Sequence, residues 1–228
     1  MENFMSDSEK KVKNKKKKLK DKRRVRTAPA MQAITPFIMV DRIGSMNLMT
    51  DRFSVNNLEK YLKEKRKAGL TNLTAMHVII AAYIRLVSQR PALNRFIRGQ
   101  RIWTRRSIEI SLTIKKEMTL ESPDTVVKVI FEPDATVEDV YNKLNDAVTA
   151  YRDNPGGDFD KTAGILSYVP AFLLNGFIGF IRGLDYFGLL PKFLEGVSPF
   201  HCSMFITSMG SLGIPPIYHH LYNFGTCP

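Results

Sequence analysis

SIEISLTIKK, residues 107–116, alternates without a break. Ile108, Ile110, Leu112 and Ile114 fall on one side and Glu109, Ser111, Thr113 and Lys115 on the other. That period of two predicts a strand with one buried and one polar face. Downstream, TVVKVIFE at 125–132 reads as a second strand. Upstream, RFIRGQRIWT at 95–104 reads as a hairpin turning at Gly99-Gln100. Before the hairpin, Thr74 caps AMHVIIAAYIRLVSQR, which is apolar almost all round and therefore predicted to lie deep in the core. Pro91 ends it. His77 inside this helix reads as a packed, hydrogen-bonded core residue rather than a ligand.

The same reasoning extends in both directions. Asn56 with Glu59 predicts a capping box for a helix over 57–68, with Leu58, Tyr61 and Leu62 on one face and Gly69 as its stop. Thr136 and Asp139 open a helix with Val140, Leu144 and Val148 on one stripe. Residues 28–40 suggest a helical turn leading to a strand, and 45–54 a strand. SPFHCSMFITSMGSLGIPP at 198–216 suggests a strand entering a Gly-rich turn, and IYHHLYNFGTCP a further strand. Long helices alternating with strands and hairpins predict an α/β sandwich around one large mixed sheet.

Composition bounds the function classes. The 228 residues are 44% hydrophobic and 25% charged, which excludes a wholly disordered chain, a collagen-like chain and a small disulfide scaffold. The net charge of +12 is uneven: residues 1–26 hold 12 Lys/Arg against four acids and so carry +8. A like-charge block of this kind self-repels and stays solvated. Residues 1–26 are therefore predicted as a disordered basic tail and 27–228 as the folded domain. No aromatics interleave with the lysines, so no specific nucleic-acid partner is expected, although weak contact with an anionic surface fits. The two cysteines, Cys202 and Cys227, are too few for a disulfide framework and lack metal-ligand spacing. They point to a reducing cytoplasm. No secretory h-region follows the basic start. GILSYVPAFLLNGFIGFI at 164–181 carries no charge over 18 residues. Pro170 and the Gly and Asn residues favour a buried core helix or an interface over a membrane-surface contact or a true span.

Four pieces in order, NNLEKYLKEKRKAG, LTNLTAMHVIIAAYIRLVSQRPALN, IEISLTIKKE and FITSMGSLG, carry a resemblance. With the Pro91-Leu93-Asn94 cluster and the Thr207–Gly213 turn as markers, the chain resembles, over roughly 28–228, the catalytic domain of dihydrolipoyl acyltransferases. These enzymes belong to 2-oxo acid dehydrogenase complexes and are related to chloramphenicol acetyltransferase. The resemblance implies a two-layer chloramphenicol-acetyltransferase-like fold and a homotrimer with active sites between subunits. It also implies acyl-CoA, acetyl-CoA above all, as donor to a small-molecule thiol, hydroxyl or amine acceptor, with no metal. It assigns the hydroxyl that stabilises the oxyanion to Thr207, with Ser208 its neighbour. On the residues alone, Thr and Ser at a strand end more often just bond the local backbone.

The chain departs from that pattern in three ways. The family's base is the histidine of a His-x-x-x-Asp-Gly motif. The nearest match, His219-His220-Leu221-Tyr222-Asn223-Phe224-Gly225, places Phe224 where Asp belongs and comes early. His219 and His220 are therefore read as strand or loop residues, and the chain is expected to stop before the motif. A lipoyl domain and its linker are absent, which points to a free-standing acyltransferase. The run 163–197 is longer and more apolar than the family requires. A catalytically inert binding or oligomerisation module and a membrane-peripheral protein are the alternative readings.

Overall fold

A computed structural model describes residues 21–115, 124–153, 169–208 and 223–227, with Gly213, Pro215 and Tyr218. Strand β1 (Lys22–Arg24) precedes helices α1 (Ala30–Ile38), α2 (Asn56–Lys67) and α3 (Ala75–Gln89). A 3₁₀ turn (Pro91–Asn94) leads into strands β2 (Arg95–Arg98), β3 (Arg101–Arg105), β4 (Ile108–Lys115) and β5 (Asp124–Phe131). Helices α4 (Val137–Asp153), α5 (Ala171–Phe187) and α6 (Lys192–Val197) follow, then strand β6 (Met204–Ile206). The fold is mixed α/β.

Two three-stranded sheets, ordered β1-β3-β2 and β5-β4-β6, stand where one large mixed sheet was expected. The break falls at Arg106-Ser107, where the carboxylate of Asp21 accepts both backbone N–H groups, at 3.3 and 2.8 Å. From the other side the buried Asn94 amide donates to the carbonyls of Arg105 (3.3 Å) and Ser107 (2.9 Å). Backbone groups satisfied by side chains cannot extend a ladder, so β3 and β4 belong to different sheets. The second sheet is itself mixed, β4 pairing antiparallel with β5 and parallel with β6.

The core lies between this sheet and helices α3 and α4. Ile108, Ile110 and Leu112 of β4 pack with Val129 and Phe131 of β5, Ile80, Ala81, Ile84 and Val87 of α3, and Val140 and Leu144 of α4. The predicted hairpin forms with Gly99 and Gln100 both at positive φ. Thr136 and Asp139 cap α4 reciprocally, and Gly69 follows the end of α2 at φ +113°.

Several expectations are corrected. Lys22–Arg24, inside the stretch expected as a tail, form a strand on β3, and Lys22 meets Glu195 at 2.5 Å. Residues 28–40 give a helix and no strand, and 45–54 give no strand and stay exposed except at Ser45 and Met46. Val55, not Asn56, precedes α2, and no side chain caps it, so the Asn56–Glu59 box does not form. Helix α3 buries one face only, leaving Ile79 and Leu86 exposed. Within 198–216 the strand is limited to Met204–Ile206, and residues 223–225 form bends where a strand was expected. Among the described residues no helix is long and apolar enough to cross a membrane. Nor is α5 a core helix. Only Asp185 in it is buried, while Phe172 and Phe187 are each 74% exposed.

Candidate functional site

Thr207 and Ser208 lie immediately past β6, both exposed. Parallel pairing of Leu112 with Ile206 carries Thr207 alongside Thr113 of β4, and their hydroxyl oxygens are 3.5 Å apart. Thr207 is thus an accessible hydroxyl at the C-terminal end of two parallel strands, supported by a second hydroxyl. Such an exposed position is where a hydroxyl can donate to an incoming oxygen rather than to the interior. His219 and His220 lie outside the described residues, as do residues 209–212 of the turn.

The polar face of β4 is the larger surprise. Polar as expected, it is nonetheless covered by the chain from 195 to 203. Ser111 is fully buried and donates to the carbonyl of Pro199 at 3.3 Å. Lys128, projecting from β5 on the same side, donates to the carbonyls of Glu195 (2.7 Å) and His201 (2.9 Å) and stands 4.0 Å from Glu109. Burial pushes its ammonium down to about 8, against the pull of Glu109. Arg105, 3% exposed, lies 3.8 Å from Glu109 and donates to the hydroxyl of Thr226.

Beside this group runs a chain of Ser198, His201, Asp185 and Arg98. Ser198 Oγ is 2.8 Å from His201 Nδ1, His201 Nε2 is 3.2 Å from Asp185 Oδ1, and Asp185 is 3.0 Å from Arg98. Arg98 also pairs with Glu195. Burial outweighs Asp185 at His201 and holds the imidazole below its usual range. Burial raises Asp185 too, but His201 and Arg98 more than offset it, so the carboxylate stays ionised. The consistent state is a neutral imidazole with Nδ1 against the Ser198 hydroxyl, while Nε2 stands 3.2 Å from Asp185 without hydrogen-bond geometry. Residue types alone suggest a nucleophile relay. The setting is different. His201 is fully buried, and Ser198 also accepts the backbone N–H of Phe200 at 3.3 Å, as a local turn does. The chain ties α5 and α6 to β2.

His77 is buried and hydrogen-bonded, as expected: its Nδ1 sits 2.8 Å from Thr74 Oγ1 and 3.1 Å from Thr74 N, at the start of α3. Among the described residues, one surface groove of about 370 Å³ is lined by Arg24, Arg26 and Arg101, and another of about 650 Å³ runs between α2 and the start of α3; Thr207 lines neither of these. No group of described residues has the make-up of a metal site.

Sequence reasoning missed His201, Asp185, Arg98, Arg105 and Lys128. Lys128 carried a readable sign, a lone cation interrupting an apolar strand. The others come from segments that only the tertiary fold brings together. No family model, no curated protein and no solved structure matches the chain.

Proposed function

We propose that the protein is an acyltransferase of the chloramphenicol-acetyltransferase kind, taking an acyl group from acyl-CoA, with Thr207 stabilising the oxyanion. The observation that supports this is the exposed Thr207 hydroxyl beyond β6, beside Thr113 on the adjoining parallel strand. The resemblance assigns the donor to this place, and a donor there is worth about 10²–10³ in rate. Ser208 is its neighbour and a secondary contributor. The chain contains no His-x-x-x-Asp-Gly motif. An oxyanion donor acts best on an acceptor that ionises by itself. Thiols, with an ordinary pKa near 8.5, do this far better than alcohols. The test is turnover of acetyl-CoA with matched thiol, amine and alcohol acceptors. Transfer to thiols that climbs with pH through the acceptor's own titration supports the reading. Rates equal to the protein-free reaction for every acceptor refute it.

A second reading, an assembly module, rests on a different observation. Helix α5 leaves Phe172, Leu173, Phe177, Phe180 and Phe187 exposed on a single copy. An apolar surface of this size marks an interface, and a homotrimer is the assembly that the resemblance implies. The two readings are compatible, because trimeric acyltransferases build their sites between subunits.

A further inference from the structure

Cys202 and Cys227 stand 25 positions apart in the chain, yet both are buried at one place, with their thiols hydrogen-bonded to each other and not cross-linked. The neighbouring backbone holds them there. Phe200's carbonyl accepts the N–H groups of Thr226 (2.9 Å) and Cys227 (3.2 Å). Arg42 donates from its backbone to Asn223 Oδ1 at 2.8 Å, and Arg105 donates to Thr226. Gly225, at φ +99°, lies so close to Phe200 that a Cβ would strike its carbonyl. Cys202 lies two residues past Phe200, so the contact of the Cys227 backbone with Phe200 brings the two buried cysteines to the same bend.

We propose that Cys202 and Cys227 form a redox-active dithiol, which hydrogen peroxide closes to an intramolecular disulfide. The electrostatics agree on which sulfur reacts. The hydrogen bond from Cys227 holds the Cys202 thiol down to about 7 against its burial, with Ser111, Lys128 and Arg105 adding to the effect. Cys227 is pushed up, first by that same bond and then by burial. Cys202 is therefore the thiolate, and thiolates are the nucleophiles. Its sulfur attacks one peroxide oxygen, the O–O bond breaks, and the departing hydroxide takes a proton to become water. The resulting sulfenic acid is attacked by Cys227 sulfur. The S–O bond breaks as the S–S bond forms, and the second hydroxide leaves as water with the proton of Cys227. Two thiols lose two electrons to one peroxide. Peroxide, little larger than water, suits a pair too enclosed for a bulky disulfide oxidant. A thiol reductant reverses the bond. Closure joins residues 223–227 covalently to the turn five residues before Thr207.

The test uses the intact chain. The folded protein is treated with one equivalent of hydrogen peroxide, quenched with catalase, alkylated in denaturant and weighed. The untreated protein takes up two alkyl groups, one for each of its cysteines. The proposal predicts a monomer that takes up none, weighs two hydrogens less and regains both sites after dithiothreitol. It also predicts that Cys227→Ser stabilises the sulfenic acid on Cys202, seen as a dimedone adduct when the oxidised variant is unfolded in dimedone. Should that variant fail to fold, the wild-type result alone decides. Two alkylated sites after peroxide, irreversible oxygen on Cys202, or linkage only between separate chains would overturn it.

Discussion

Lys128 shows how much one residue's environment decides. An ammonium on a strand is usually solvated, but here it is buried and makes two carbonyl hydrogen bonds with Glu109 nearby. Lys128→Met would leave Glu109 and both carbonyls without that donor. Breaking a buried pair from one side typically costs about 3–5 kcal/mol, so urea unfolding should show a loss of about 3 kcal/mol. A loss below about 1 kcal/mol would mean that the site relaxes to admit water. His201 makes a pH-dependent contribution with a definite sign. Its folded-state pKa lies below the ordinary 6.5, so the native protein binds fewer protons there than the unfolded chain. The stabilisation is complete above about pH 6.5 and is lost as pH falls through the folded value. His77, also lowered by burial, acts in the same direction. Unfolding free energy should therefore drop between pH 7.5 and 5.5, and His201→Gln should flatten part of that slope. A slope unchanged in the variant would assign it elsewhere.

At the scale of elements, legibility in the sequence followed the periodicity. Strand β4, the hairpin at Gly99-Gln100, and helices α3 and α4 each carry a repeat or a turn signal, and each forms. Strand 45–54 does not form because its loose alternation finds no neighbouring edge. The cover over the polar face of β4 was not legible, because period two reveals that a face is polar, not what lies over it. The cover comes from residues 195–203, remote in the chain. Helix α5 fails in the opposite way. Its apolar composition suggested burial, but the described fold supplies nothing to bury it against. Its exposed phenylalanines predict self-association. Sedimentation velocity should find an oligomer, and Phe180→Asp, at a site 63% exposed, should shift it to monomer with little change in melting temperature. A monomeric wild type that floats with anionic liposomes would instead assign the face to membrane surface.

Across the whole molecule, the two sheets divide the work. The β1-β3-β2 sheet, with Arg98 and Arg105 at the ends of its strands, anchors α5, α6 and residues 223–227 through buried ion pairs and hydrogen bonds. The β5-β4-β6 sheet packs the apolar core on one face and the polar cluster on the other. It carries Thr207 to the end of its parallel pair. Thr207 is exposed and, among the described residues, makes one long hydroxyl contact, so changing it should move stability by no more than about 0.5 kcal/mol. The most direct measurement is acyl transfer from acetyl-CoA to a thiol acceptor by wild type, Thr207→Ala and Thr207→Ser at equal folded concentration. The account predicts that alanine lowers kcat by about 10²–10³ while serine, which keeps the hydroxyl, retains most of the rate. Equal rates for wild type and alanine, or a loss as large with serine as with alanine, would contradict it.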